Sequence, residues 1–281
     1  MSRRAKMFAV LPTLLTLGNA ACGFGSVTFA AKIGPTSGGG HELFIAAILI
    51  FLAMLFDVLD GSAARWTKQV SDFGAQLDSL CDAVSFGVAP AFLMLQFVKH
   101  EYSFGQLPTL EMYYHPRLLW VIAVLFVLCA VLRLARFNVE TDEEDTHESF
   151  SGLPSPAAAG TVASFPIAMS GLRDLAADND AIAQHVAEWL IPAVRLALPL
   201  ITFAVACLMV SRIRYPHVFS QLFSGQRNRQ HVLQLVFTLA AVFLVREMAV
   251  PLILCYFAFA APLRIIWREV VQRRLYKSPR V

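Results

Sequence analysis

The sequence predicts an all-α fold, a polytopic membrane helical bundle of six core helices plus two C-terminal helices, eight spans in all. Three observations carry that prediction. Of the 281 residues 57% are hydrophobic and only 15% are charged. The apolar residues come in long runs close to the roughly 20 residues a helix needs to cross about 30 Å of hydrocarbon. The 23 lysines and arginines are shared unevenly between the connections, as they are when basic residues fix topology. The net charge of +3 reflects that topology and points to no nucleic-acid partner.

The first six spans fall at residues 8–31, 43–59, 75–97, 118–134, 156–172 and 196–213. The last apolar run, 232–266, would be roughly 52 Å long as one helix at 1.5 Å per residue, too much for a single crossing. Arg246-Glu247 followed by Pro251 is where the chain folds back, giving two final spans that are short or tilted. A seven-span or re-entrant arrangement is the alternative. With the N-terminus inside, 17 of the 23 basic residues lie on the cytoplasmic side, and only Lys32, Lys99, Arg117, Arg173, Arg195 and Arg246 lie opposite. This predicts an integral protein of a bacterial inner (cytoplasmic) membrane with both termini inside.

The chain reads as one domain, residues 1–281, with no internal repeat. The outward connections, residues 34–40, 101–115 and 173–189, concentrate no chemical groups, and the third is expected to carry a short amphipathic helix. Inside, the acidic run from Glu140 to Glu148 reads as a solvated loop. The tail Arg273-Arg274-Leu275-Tyr276-Lys277 reads as an anchor to anionic membrane lipids. Cys22, Cys81, Cys129, Cys207 and Cys255 are odd in number and lack Cys-x-x-Cys spacing, so they read as small buried residues without disulfides or zinc. Arg3-Arg4-Ala5-Lys6 before an apolar run imitates a leader, and Ala20-Ala21-Cys22 a lipoprotein cleavage site. Asn19 occupies a position where such a site wants an aliphatic residue, and the apolar run continues past it.

Four carboxylates break the apolar pattern. Asp57 and Asp60 lie three apart at the cytoplasmic end of the second span, while Gly74, Asp78 and Asp82 lie four apart on the third. Each set shares one helical face, so two helices can aim four carboxylates at one point. A carboxylate near hydrocarbon costs on the order of 2.5–3.5 kcal/mol on insertion scales and calls for a compensating cation or proton. Oxygen ligands without His or Cys suit Mg²⁺ or Mn²⁺, and four are enough for two ions. Gly61, Ala64 and Gly74 leave room for a pyrophosphate to approach the backbone. Arg65 offers a planar fork for a phosphate oxygen. A proton relay in an ion-coupled transporter is the rival of a different class, but it needs neither the interleaved small residues nor Arg65.

The pattern Asp57-x-x-Asp60-Gly61-x-x-Ala64-Arg65, eight residues, Gly74-x-x-x-Asp78-x-x-x-Asp82 resembles the signature of the CDP-alcohol phosphatidyltransferases at all eight fixed positions. Flanking text is similar to the branch of that family that uses serine as acceptor: residues 14–19, 71–90, 133–138, 152–159 and 209–215. The likeness runs over about residues 8–216, implying a catalytic six-helix core at 1–216, followed at 217–281 by two further spans and a basic tail.

The resemblance implies a homodimer that transfers a phosphatidyl group from CDP-diacylglycerol to the hydroxyl of L-serine and releases CMP. It implies that Asp57, Asp60 and Asp78 hold the metals, that Asp82 also reaches a metal, and that Asp82 is the general base. Gly61, Arg65 and Ser71 are implied as contacts of the CDP-lipid, with Thr13 and Thr16 as further candidates. A serine carboxylate needs a cation, and Arg133 and Arg136, with Asn138, end the fourth span level with the aspartates; Arg212 and Arg214 compete for that role. Glycerol 3-phosphate, inositol or choline as acceptor, or an archaeal-type lipid donor, would use the same core.

Overall fold

Apolar runs long enough to cross a bilayer satisfy every backbone N–H and C=O only as helices, and the computed structural model is built almost wholly from them. It describes residues 3–32, 40–67, 72–104, 115–140, 150–177, 181–215 and 248–276. The helices are α1 (Arg3–Ala31), α2 (Gly40–Thr67), α3 (Asp72–Asp82), a π-helical segment (Ala83–Val88), α4 (Ala89–Phe104), α5 (Pro116–Glu140), α6 (Ser155–Ala177), α7 (Ala181–Val210) and α8 (Ala249–Tyr276). Two short strands, β1 (Phe150–Ser151) and β2 (Arg214–Tyr215), pair antiparallel with Phe150 opposite Tyr215.

Among the described residues, five helical stretches are long and apolar enough to cross a membrane: Pro12–Ala31, Gly40–Ala63, Phe73–Glu101, Pro116–Val139 and Gln184–Val210. The expected fifth span, residues 156–172, forms α6 but is not one of these five, because Ser, Thr, Gly and Pro dilute its hydropathy. Its small residues serve packing instead. Ala158, Ala159, Gly160, Val162 and Ala163 are buried where α6 meets α2, α7 and α8, and small side chains let helix backbones approach closely in a membrane. Outward-facing Leu52, Leu55, Trp120, Leu128, Leu132 and Phe203 form the surface expected against lipid.

Three expectations change. Among the described residues no separate amphipathic helix occupies 173–189: α6 runs to Ala177 and α7 begins at Ala181, well before residue 196. Cys207 is exposed rather than buried, although all five thiols are free. Where an eighth span was expected, Ala249–Arg264 within α8 is a shorter apolar stretch that is not among the five long enough to cross a membrane, whereas the expected seventh span and the acidic run 141–148 lie outside the described residues.

The third span is one continuous rod whose winding changes directly after Asp82. A π turn holds an extra residue and is frequent at functional sites. Here it lies against α1 at Gly23, where an added Cβ would come 2.7 Å from the Ser85 Cα, so only glycine admits this approach. At the far end of the rod, roughly 28 Å beyond Asp82 by helical rise, Glu101 is buried between Arg173 of α6 and Arg195 of α7.

Candidate active site

Asp57 and Asp60 project from the end of α2 and Asp78 from the middle of α3. One oxygen from each lies within 4.8 Å of the other two. The three-residue and four-residue spacings place them as the helical period requires, and the packing of α1 against both α2 and α3 holds the two helices together. Asp60 is only 5% exposed. Its Oδ2 and the Oδ1 of Asp78 are buried without a hydrogen-bond partner. Buried carboxylate oxygens with no donor are costly, and a hard cation satisfies them in the way such oxygen sets favour. The residues present therefore fit a divalent ion.

Asp82 stands one helical turn beyond Asp78 and is 8% exposed. It interacts electrostatically with Asp57, Asp78 and Asp60 but is not part of the 4.8 Å group. Its Oδ1 instead accepts a 2.8 Å hydrogen bond from Asn19 Nδ2 of α1. The Ser85 hydroxyl, on the π segment, donates to the Asn19 backbone carbonyl at 2.9 Å, tying the same turn of α1 to the third span.

Arg133 reaches this end from α5. Its Nη1 donates to the Ser155 hydroxyl at 2.9 Å, its charge acts on Asp82 and Asp57, and its Nε is buried without a partner. Of the arginines expected to meet a carboxylate, Arg133 is the one whose charge is seen to act on the acidic residues among the described side chains. Arg136 is exposed, and the Asn138 side-chain oxygen accepts from the Ser79 hydroxyl at 3.1 Å. Arg212 is exposed.

The remaining predicted contacts divide into two groups. Thr16 is buried, its hydroxyl within reach of the Pro12 carbonyl at 3.0 Å and of the Asp60 carboxylate, so it lines the acidic group. Thr13, Gly61 and Gly74 are half-buried nearby in sequence on α1, α2 and α3. Ala64 and Arg65 lie on the last turns of α2, but their side chains, like the whole of Ser71, fall outside the described residues.

The floor of the site comes from two segments far apart in the chain. The N–H of Gly152 donates to the Ile213 carbonyl at 2.9 Å and that of Leu153 to the Leu208 carbonyl at 3.0 Å, continuing the β1–β2 pair. Gly152 has φ of +89°, and a Cβ there would run into the Met209 carbonyl. This pins the start of α6, and with it Ser155, against the end of α7.

Sequence reasoning did not assign a role to Asn19, Ser85, Ser79 or Ser155. Asn19 did carry a signal, a side chain with four hydrogen-bonding positions inside an apolar helix, which membrane packing rarely leaves idle.

An acidic group held between two membrane helices, with a half-buried arginine beside it, suits a reaction at a phosphate group. The sequence profile described as CDP-alcohol phosphatidyltransferase matches residues 9–209, and the chain belongs to that family, whose members are phosphotransferase enzymes. The chain is similar to the archaetidylserine synthase of Methanothermobacter thermautotrophicus, 33% identical over 77% of this chain and 73% of the relative. It is 34% identical to the CDP-diacylglycerol-serine O-phosphatidyltransferase of Mycobacterium tuberculosis over 56% of this chain and 49% of that protein. A protein of the same name from Helicobacter pylori is 35% identical over 53% of this chain and 54% of its own length. The chain thus spans about half the length of these last two relatives.

Proposed function

We propose that this enzyme is a phosphatidylserine synthase: it transfers a phosphatidyl group from CDP-diacylglycerol to the hydroxyl of L-serine, giving phosphatidylserine and CMP. The observation that carries this reading is the acidic group of Asp57, Asp60 and Asp78, two of its oxygens buried and unpaired, set beside Asp82 and the half-buried Arg133. The names of the similar proteins support serine as the acceptor.

Asp57, Asp60 and Asp78, with Asp82 at the edge, would hold Mg²⁺ or Mn²⁺, and the set has oxygens enough for two ions. Such ions, when bound, offset the charge of the pyrophosphate and of the departing CMP. The chain's own groups do the rest. Asp82 takes the proton of the serine hydroxyl, whose oxygen bonds to the phosphorus carrying diacylglycerol while the bond from that phosphorus to the CMP oxygen breaks. Arg65 pairs with a phosphate oxygen, and Gly61, Ala64, Gly74 and Ser71, with Thr13 and Thr16, line the path of the CDP-lipid. Arg133 meets the serine carboxylate, with Arg136 and Asn138 at the rim.

In this reading residues 1–216 form the catalytic core, 217–281 add two spans and the basic tail, and the enzyme is a homodimer with its site and termini at the cytoplasmic face. The profile match at 9–209 lies inside the proposed core, and the basic asymmetry supports the orientation. A second reading keeps serine and replaces the donor by an archaeal-type CDP-lipid, favoured by the similarity to an archaetidylserine synthase.

The test is to incubate the purified full chain with Mn²⁺ and CDP-diacylglycerol or CDP-archaeol, offering labelled serine, glycerol 3-phosphate, inositol or choline. CMP release that depends on serine, with label entering lipid, is expected. Release that is indifferent to serine, or a preference for another acceptor, would overturn the assignment.

A further inference from the structure

Asn19 is fully buried and only half used. A carboxylate oxygen accepts, so the amide nitrogen must face Asp82, which it meets at 2.8 Å. The other amide atom, Oδ1, is buried and has no hydrogen-bond partner. Leaving a buried carbonyl unpaired costs about 1–3 kcal/mol, and such orphans mark strain, a catalytic role, or a water, ion or ligand that completes them. The backbone here has another task as well: the Asn19 carbonyl receives the Ser85 hydroxyl, and Gly23, one turn on, lets α1 press against Ser85. The side chain is thereby held in register with the base.

An unused acceptor stands one amide width from the carboxylate proposed to receive the hydroxyl proton. The acceptor substrate carries its own donor at a matching place, because the ammonium of serine is on the carbon next to the one bearing the hydroxyl. We infer that Asn19 is a positioning and specificity residue: its N–H fixes Asp82 as an acceptor, and its Oδ1 receives the ammonium of the amino-alcohol substrate. This rests on the reading of Asp82 as base and of serine as acceptor. It divides recognition of the amino acid between two helices, the carboxylate going to Arg133 on α5 and the ammonium to Asn19 on α1. Asn19 acts on the hydroxyl only through Asp82.

The experiment compares L-serine with 3-hydroxypropionate, which keeps the hydroxyl and carboxylate but lacks the ammonium, used as a competing ligand against wild type, Asn19→Leu and Asn19→Asp. In Asn19→Leu, turnover falls and the preference for serine, the inhibition constant of 3-hydroxypropionate divided by the KM of serine, shrinks about tenfold or more, while the KM for the CDP-lipid stays unchanged. Asn19→Asp keeps an acceptor oxygen but loses the donor, so turnover falls with the preference for serine kept or increased. This second variant decides the matter should the leucine variant fail to fold. An unchanged preference in Asn19→Leu, or undiminished turnover in Asn19→Asp, overturns the inference. Wild type run alongside separates the two failures: no serine-dependent CMP from wild type removes the functional reading, whereas an active wild type with indifferent Asn19 variants removes only the role of Asn19.

Discussion

At one end of the bundle three carboxylates face one another within 4.8 Å, two of their oxygens buried and unpaired. At the other end a single buried carboxylate, Glu101, is gripped on both oxygens, by Arg173 and by Arg195 Nε at 2.7 Å, and Arg173 also reaches His100 Nδ1 at 3.4 Å. Both clusters bury charge among apolar helices. The first gathers like charges and leaves two of their oxygens without a donor, whereas the second matches opposite charges and joins α4, α6 and α7. Like charges crowded together with too few donors work against stability and are kept where a ligand completes them. Opposite charges with full bonding fix geometry.

The contrast can be broken most forcefully at Asp82. Asp82→Asn keeps an acceptor for Asn19 but cannot take a proton, and turnover should fall by about 10²–10⁴-fold, the usual worth of a general base, with unfolding in detergent unchanged. Normal turnover would show that the acidic end does not work as a base.

Glu101→Gln should do the reverse. Removing one partner of a buried ion pair costs roughly 3–5 kcal/mol, and the lower end applies because the Arg173 side chain is 34% exposed. The Tm should fall while the KM values of the remaining folded enzyme stay put. A neutral result would mean that the far end does not tie the helices.

Metal addition sharpens the difference between the ends. Mn²⁺ at 100 times its Kd should stabilise the folded protein by about 2.7 kcal/mol, an effect lost in Asp57→Asn and Asp78→Asn and kept in Glu101→Gln. Equal Mn²⁺ stabilisation in all three, measured by thermal unfolding with and without chelator, would place the ion elsewhere.

The smallest effect is expected at the floor of the acidic end. Gly152→Ala forces a side chain into a left-handed backbone conformation and against the Met209 carbonyl, costing about 1–3 kcal/mol. The loss should appear as lower stability and a weaker grip on serine through Ser155 and Arg133. An unaltered Tm would mean that the β1–β2 pair gives way freely.

Much of the acidic end was legible because its information is local. Asp57 with Asp60, and Asp78 with Asp82, obey helical periods a reader can count, and the apolar runs around them could be little else than helix. What escaped was long-range or conformational. Asn19 and Asp82 are 63 residues apart, Arg133 and Ser155 are 22 apart, and Glu101 finds Arg173 and Arg195 across more than 70 residues. Topology counting had placed these last two arginines together on one side of the membrane, yet no spacing reveals that they close on a single carboxylate. The π turn was hidden too, since Ala83-Val84-Ser85-Phe86-Gly87-Val88 has the apolar composition of any buried helix and only packing against Gly23 distinguishes it. The length of α7 was misjudged because residues 181–195 mix His, Glu and Arg among apolar residues, which hydropathy alone reads as a loop.

That widened turn acts as a phase shifter between the two halves of one rod. An ordinary helix advances 100° per residue, so the surplus residue lets α4 keep its own contacts with α5 and α6 while α3 keeps its carboxylates toward α2. Shortening the segment by a single amino acid would leave both halves helical and nearly the same length, yet swing one against the other by about a quarter of a revolution. Drift in this protein can therefore exchange side chains along the rod far more safely than it can change their number.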